Sequence, residues 1–418
     1  MYNLQPSRER SLLWLLALTQ FTIIMDFMVM MPLGPQIMHS LDITPAKFAA
    51  AVSVYSWCSG LSGLFAATYI DRFDRRRLML TIYALFALSN LACATASSYP
   101  MLLAARAFAG MTGGVLASVV MAIVADVIPV ARRGAATGII MTAFSLAAIA
   151  GVPAGVLLGA HFEWSAPFLL LTALSVVIWL GGMRIVPSLR EHLAAGPAPL
   201  ATVLPQLWHL LSRPQHLTAF ALTFMVMTSH MLVIPFISPM LVLNHGIQPA
   251  QLSWMYMAGG AATFLTSRLI GRLADRYGKH RVFRLMAVVS LAPVLFVTHL
   301  PAVVTILGML LFFPFFMVAM SGRMIPMQAL VTTVPSPQQR GAFLSANSAV
   351  QALGTGCGAW VGGLMLTSGP AGQIEGFGVN GLAASALILV AIAWIGRVKA
   401  PAGRDVVRPV AAEPLGEA

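Results

Sequence analysis

The chain has 418 residues, of which 58% are hydrophobic and 9% are charged. Soluble domains carry about 25% charged residues, so this composition excludes a soluble globular protein of this length. The formal net charge of +12 does not indicate nucleic-acid binding, because the basic residues lie almost entirely in loops on one side of the predicted membrane spans.

Twelve stretches are each long and apolar enough to cross a bilayer, which requires about 20 apolar residues. The first is too long for a signal peptide, and no small-residue cleavage site follows it, so we expect it to be retained. The predicted spans cover residues 11–33, 47–69, 78–97, 101–125, 134–158, 165–186, 217–241, 250–272, 282–300, 302–325, 341–366 and 377–397.

The distribution of Lys and Arg predicts the orientation, because cytoplasmic loops carry an excess of these residues. With the N-terminus inside, the outer loops hold only Lys47. We therefore predict a multi-pass protein of the bacterial inner membrane with both termini in the cytoplasm. The predicted domains are a cytoplasmic N-terminus (1–10), a six-helix bundle (11–186), a cytoplasmic linker (187–216), a second six-helix bundle (217–398) and a disordered cytoplasmic tail (399–418).

The two halves share sequence features at matching places. Asp71-Arg72 corresponds to Asp275-Arg276, and Arg133-Gly134 corresponds to Arg340-Gly341, at offsets of 204 and 207 residues. Two matches at nearly the same offset indicate a duplication whose boundary lies near the linker. Duplicated helical membrane proteins are commonly secondary transporters with a site between the repeats.

The turn after span 8 resembles the signature turn of the major facilitator superfamily. The matching residues are Gly271, Asp275, Arg276, Gly278, Lys279 and Arg281. The first half keeps Asp71, Arg72 and Arg75 but has Ala67 and Asp74 at the two glycine positions. The resemblance implies an all-α membrane protein with twelve transmembrane helices in two pseudo-symmetric six-helix bundles.

Residues within the spans narrow this resemblance. The chain is similar to bacterial twelve-span drug:proton antiporters, close to the arabinose-efflux permeases, at Asp26 in span 1, Arg106–Gly110 in span 4, Gly151–Gly155 in span 5 and Gly322–Pro326 in span 10. The resemblance implies alternating access around a central cavity. It does not indicate the substrate.

Asp26 is the only carboxylate well inside a predicted span. An ionised carboxylate is costly there, so it must pair, face water or take a proton. We predict that Asp26 carries the proton, and the alternative is a structural acid satisfied by its neighbours. Arg106 lies near the outer end of span 4. The resemblance implies that it tunes a nearby acid, and the alternative is that it snorkels to the outer headgroups.

Arg323 and His230 are the two remaining candidate residues of the proton-coupling and substrate cavity. Arg323 lies deeper, in span 10. It either contacts an anionic or hydrogen-bonding part of a substrate or donates to carbonyls freed near Pro314 or Pro326. His230, in span 7, either takes part in proton coupling or is a packed, hydrogen-bonded residue. Pro235 and Pro239 follow it and predict a bent gating helix.

Two further groups are predicted to control conformation. Asp residues within the basic turns can cap helices or bind Arg, and the resemblance implies that such contacts hold one conformation closed. This gating group comprises Asp71, Arg72, Arg75, Asp126, Arg133, Gly271, Asp275, Arg276, Gly278 and Arg340. Small residues allow close helix packing, and the packing group in span 5 comprises Gly151, Pro153, Gly155 and Gly159.

These features predict a secondary active transporter that exports small molecules such as drugs, sugars or metabolites in exchange for protons. Its expected partners are a small-molecule substrate, protons and the bilayer, with no nucleic acid, and we expect a monomer. No enzymatic activity, cofactor or metal site is predicted. The alternatives are a uniporter or proton symporter for a sugar or organic anion, and a non-transporting membrane sensor.

Overall fold

The structure, a computed structural model of the chain, describes residues 5–129, 132–190, 193, 210–336, 339–370 and 372–399. Most of the predicted linker and all but the first residue of the predicted tail lie outside these ranges. The two-bundle division therefore stays a prediction, as does disorder of the tail.

The described chain is almost entirely helical, as predicted. Its α-helices are α1 (Pro6–Val29), α2 (Gly34–Ser40), α3 (Pro45–Tyr69), α4 (Arg75–Ala94), α5 (Tyr99–Val127), α6 (Arg133–Leu146), α7 (Val152–His161), α8 (Ala166–Ile185), α9 (Pro214–Met231), α10 (Ile234–Leu243), α11 (Pro249–Tyr277), α12 (Lys279–Thr298), α13 (Ile306–Gly322), α14 (Met324–Val331), α15 (Arg340–Leu364) and α16 (Phe377–Trp394). Turns of 3₁₀ type follow α3 at Ile70–Arg72 and α16 at Ile395–Arg397, and a π-helical segment joins α6 to α7 at Ala147–Gly151.

Ten helical segments of the described chain are long and apolar enough to cross a membrane. Helices α11 and α15 occupy the positions of predicted spans 8 and 11 and have 29 and 25 residues, but they are not among these ten. Both are rich in glycine and polar side chains. The helical membrane fold is confirmed, whereas the count of twelve spans stays a prediction.

Several helix boundaries follow from local chemistry. Proline is well placed in the first helical turn because its missing N–H would have no partner there, and it begins α1, α3, α9 and α11. Thr44 caps α3 and Thr305 caps α13, each accepting a backbone N–H through its hydroxyl. These signals explain why the predicted starts are correct to within a few residues, except at span 1, which begins at Pro6.

The helix is interrupted in three of the predicted spans. Span 5 contains the π-helical segment directly before Pro153, span 7 breaks between Met231 and Ile234, and span 10 breaks at Arg323. Proline removes a helix donor and clashes with the preceding turn, which accounts for the breaks beside Pro153 and Pro235. Span 10 continues to Val331 rather than ending near residue 325.

A short hairpin departs from the all-helical expectation. Thr367–Ser368 pairs antiparallel with Ile374–Glu375 in the loop before α16. The side chain of Asn244 accepts from the Ile374 N–H and donates to its carbonyl, both at 2.8 Å. This reciprocal pair fixes the loop to the end of span 7.

The two halves meet at the face opposite the arginine-rich turns, which include residues 71–77 and 271–281. Helix α3 packs along α15, α2 on α10, and α11 on α7 and the π-helical segment. A Cβ added to Gly363 would meet Ala49, and one added to Gly260 would meet the carbonyl of Ala148. Glycine therefore allows the helix backbones to approach closely here.

Glycines close to the arginine-rich turns are packed less tightly. A Cβ added to Gly134, Gly138, Gly271 or Gly341 would meet no atom of another described segment within 4 Å. Ser253 donates to the Pro153 carbonyl at 3.0 Å, which joins α11 to α7 rather than to α6. The close glycine contacts and this hydrogen bond thus hold the halves together at the face opposite the arginine-rich turns.

Glycine contacts within the first half provide a stability test. A Cβ at Gly110 in α5 would meet the Tyr55 backbone, whereas a Cβ at Gly138 in α6 would meet no other described segment within 4 Å. We expect Gly110→Ala to destabilise the protein by about 1–3 kcal/mol through overpacking. Gly138→Ala is the matched control and should be neutral or stabilising by up to about 1 kcal/mol. The measurement is thermal unfolding in detergent, and equal midpoints for the two variants would contradict this packing.

Candidate functional site

The first buried charge pair joins span 1 to span 4. Arg106 Nη1 in α5 donates to Asp26 Oδ1 in α1 at 2.7 Å, and both side chains are 0% exposed. Arg106 therefore does not snorkel to the membrane surface. The structure brings together the two residues for which the sequence left a pairing open.

An aromatic side chain that the sequence analysis did not identify completes this site. The Tyr55 ring from α3 lies 4.3 Å from Arg106 Cζ, in a cation–π arrangement. Phe27 stacks on Tyr55 at 5.7 Å between ring centroids. The packing of Gly110 against the Tyr55 backbone holds α3 close to α5, and no sequence motif indicated this contact.

The ion pair leaves hydrogen-bonding capacity unused. Asp26 Oδ2, Arg106 Nε and Arg106 Nη2 are buried without a hydrogen-bond partner among the described residues. Burying two charges is costly unless their remaining donors and acceptors are also satisfied. The free carboxylate oxygen is a position at which a proton or a ligand donor can bind.

A second buried cation lies in the other half. Arg323 is 1% exposed, and its Nε and Nη2 atoms lack a hydrogen-bond partner within the described part of the chain. It donates to none of the described carbonyls near Pro314 or Pro326. His230 lies in α9, which packs against α14, and its Nδ1 is likewise buried and unpartnered within those ranges.

The gating residues of the first half form a compact network. Arg75 Nη2 donates to Asp71 at 2.6 Å, and Arg75 Nε donates to Asp126 at 2.8 Å. Arg75 Nη1 also donates to the Ile70 carbonyl at 2.6 Å. Arg133 instead donates to carbonyls at the end of α5, those of Ile128 and Ala125. Arg75 thus ties the turn after span 2 to the end of span 4.

Asp74 has a role that the sequence analysis did not assign. It caps α4 by accepting from the Arg76 N–H at 2.9 Å. It also accepts from Ser188 at 2.6 Å and from Arg190 Nε at 2.9 Å. Although burial raises the pKa of Asp74, the hydrogen bonds from Ser188 and Arg190 outweigh it and lower the pKa to about 2. An aspartate directly before a helix is a capping signal, but the attachment to the linker has no local signature.

The corresponding turn of the second half differs. Gly278 has a φ of 92°, a left-handed conformation that favours glycine, as the signature turn predicts. No ion pair of Asp275, Arg276 or Arg340 is present among the described residues. Arg276 lies over the Tyr277 ring at 5.3 Å. Within the described ranges, no ion pair joins the two halves at this face.

The span 5 glycines pack against span 1. A Cβ on Gly151, Gly155 or Gly159 would contact Phe21, Val29 or Leu33 respectively. This spacing places one face of span 5 against the helix that carries Asp26. The π-helical segment lies in the same region and interrupts the regular helix.

The fold and these intramembrane charges define a duplicated helical membrane protein of the kind to which secondary transporters belong. The Major Facilitator Superfamily matches residues 16–237 and 219–417, and the chain belongs to this superfamily.

Two similar sequences come from bacteria. The chain is 27% identical over 369 residues to the uncharacterized MFS-type transporter YtbD of Bacillus subtilis, covering 84% of this chain and 91% of that protein. It is 25% identical over 237 residues to a probable sugar efflux transporter of Mannheimia succiniciproducens. That second match covers 57% of this chain and 58% of the relative.

Solved structures share the fold at low identity. A bacterial homolog of the human lysosomal transporter Spinster, in an inward-facing conformation, has a TM-score of 0.72 at 15% identity and 95% coverage of both chains. A D-xylose-proton symporter has a TM-score of 0.72 at 14% identity, covering 91% of this chain and 96% of that chain. These likenesses confirm the superfamily fold predicted from the signature turn.

The Asp26–Arg106 pair provides a test by double substitution. Arg106→Met leaves a buried carboxylate without its cation, and we expect a loss of about 3–5 kcal/mol. Combining it with Asp26→Asn removes both charges and should restore most of that loss. Thermal unfolding midpoints at neutral pH measure the coupling. Additive losses in the double variant would contradict a direct ion pair.

The Asp74 attachment provides a pH-dependent test. A carboxyl whose pKa is lowered by folding stabilises the protein above its unfolded pKa of about 4, and this stabilisation is lost as the pH falls toward the folded value of about 2. Asp74→Ala should cost about 1–2 kcal/mol at neutral pH through loss of the cap and its partners.

The difference in unfolding midpoint between wild type and Asp74→Ala should shrink on acidification through this window. Asp42→Asn, at an exposed turn position, is the control. A difference that does not change with pH would contradict the role of the ionised carboxylate.

Proposed function

We propose that this protein is a proton-coupled efflux transporter of small molecules that works by alternating access in the bacterial inner membrane. Both termini would lie in the cytoplasm and the transporter would act as a monomer. The observation that carries the proposal is the fully buried Asp26–Arg106 pair between spans 1 and 4.

The chemistry of this pair suits proton coupling. An intramembrane carboxylate is stabilised by a cation or by a proton, and each substitutes for the other. When Asp26 takes a proton, its attraction for Arg106 falls and the guanidinium becomes available to other acceptors. When Asp26 releases the proton, the ion pair re-forms. The site therefore has two charge states that differ in how spans 1 and 4 are held together.

The packing of the halves fits one step of the proposed cycle. Under the positive-inside rule the arginine-rich face would be cytoplasmic, and the face at which the halves are packed together would be the outer one. An exporter would load its substrate from the cytoplasmic side. Proton entry from outside and release inside would then return the transporter to the loading conformation.

The network of Arg75 with Asp71 and Asp126 lies within the first half and would hold the turn after span 2 to the end of span 4 during the proposed cycle. The relative named as a probable sugar efflux transporter supports export and a polar substrate. It also supports placement near the arabinose-efflux group suggested by the sequence.

Proteoliposomes with an internal pH dye and an imposed proton gradient test the proposal. Sugars, amino acids, organic anions and lipophilic cations would be added in turn. We expect at least one compound to trigger proton movement in wild type and none in Asp26→Asn. Asp42→Asn, which removes an exposed carboxylate outside the spans, should behave as wild type, and size-exclusion profiles verify that each variant is folded.

Retained uphill export by Asp26→Asn would refute the role of Asp26. Facilitated movement of one compound without proton flux in wild type would instead indicate a uniporter. Proton movement in the same direction as the compound would indicate a symporter.

A further inference from the structure

Arg323 differs from Arg106 in that its charge has no counterion among the described residues. Arg106 forms its ion pair with Asp26, whereas Arg323 takes part in none of the salt bridges of the described residues. Its side chain is nonetheless buried, with only 1% of its surface exposed. A buried cation without an anion is strongly unfavourable, and charged residues inside membrane proteins commonly serve binding or transport.

Arg323 lies at a break in span 10. Helix α13 ends at Gly322 and α14 begins at Met324. Helix α14 packs against α9, α11 and α12, so the guanidinium lies within the second half rather than at its lipid surface. The break is packed at the preceding residue, because a Cβ on Gly322 would meet Met286 and Ile270.

The unpartnered atoms define the shape of the missing ligand. Nε and Nη2 lie on one edge of the guanidinium and point two N–H groups in parallel. This edge matches the two oxygens of a carboxylate, which arginine binds with two charge-assisted hydrogen bonds. His230 adds an unpartnered ring nitrogen from α9, which packs against α14 directly after Arg323.

We propose that Arg323 binds the carboxylate of an anionic substrate, with His230 as a second hydrogen-bonding group. The inference rests on the proposed transport function and narrows its substrate class to small molecules carrying a carboxylate. The carboxylate neutralises Arg323 in the second half, just as Asp26 neutralises Arg106 in the first.

The proposal assigns carboxylate binding and proton coupling to different residues. Carboxylate binding depends on Arg323 and does not require the proton on Asp26. Proton coupling depends on Asp26 and does not require the free edge of Arg323. Variants at the two positions therefore have different expected phenotypes.

Binding to the purified full-length protein without a proton gradient tests the carboxylate site. The probes are three pairs of similar compounds that differ in charge: glucuronate and glucose, nicotinate and nicotinamide, and benzoate and benzamide. At least one carboxylate should bind wild type more tightly than its uncharged counterpart. Arg323→Gln should weaken that binding about 10- to 100-fold, and Arg323→Lys should weaken it less because the charge remains.

The matched control is Arg268→Gln, which removes an exposed arginine from α11 in the same half. It should retain the wild-type affinity. Equal binding of charged and uncharged compounds in all three pairs would overturn the proposal. So would a carboxylate preference that survives Arg323→Gln.

A second measurement requires no ligand. If Arg323 has no counterion until a carboxylate binds, Arg323→Met should raise the unfolding midpoint of the ligand-free protein, because an unpaired buried charge is removed. A lowered midpoint would show that Arg323 has a structural partner and would overturn the proposal.

Asp26→Asn distinguishes failure of this inference from failure of the transport proposal. Carboxylate binding retained in wild type and Asp26→Asn, without proton flux in either, would leave the anion site in place and refute proton-coupled efflux. Proton-coupled efflux restricted to uncharged compounds would support the transport proposal and overturn the carboxylate site.

Discussion

The central constraint on this protein is the cost of holding charge inside a membrane. Apolar side chains dominate the spans, so each buried ionised group needs a specific partner. Asp26 and Arg106 meet this requirement through one 2.7 Å contact between α1 and α5. Tyr55, which contacts Arg106 from α3, extends the same site to a third helix. The packing of these helices therefore depends on a polar contact as well as on apolar burial.

Sequence reasoning predicted the helical spans and the superfamily because both depend on local patterns. Long apolar runs predict spans by length alone, and the Gly278 turn has a backbone conformation that few other residues adopt. The partner of Arg106 was less predictable. Depth in a span does not show which way a side chain points, so pairing with Asp26 and snorkelling were equally compatible with the sequence.

Contacts between distant segments account for most of what sequence reasoning missed. Tyr55 became part of the site because Gly110 allows α3 and α5 to approach closely. Asp74 occupies a position where the signature turn has glycine, and only the structure shows that the carboxylate holds residues 188–190. Where the signature turn has a glycine, the first half thus has an aspartate that attaches the turn to the start of the linker. The two halves carry matching Asp-Arg pairs in these turns but use the turns differently.

The π-helical segment at Ala147–Gly151 has a mechanical consequence. A π-helical turn contains one residue more than an α-helical turn, and each residue of an α-helix advances the side-chain direction by about 100°. The segment therefore changes the direction in which the side chains of α6 face relative to those of α7. Conversion of this turn to regular α-helix would rotate α6 about its own axis while Gly155 stayed packed against Val29 of α1. Span 5 thus has a point at which its two parts can rotate relative to each other, beside the contact of Ala148 with Gly260.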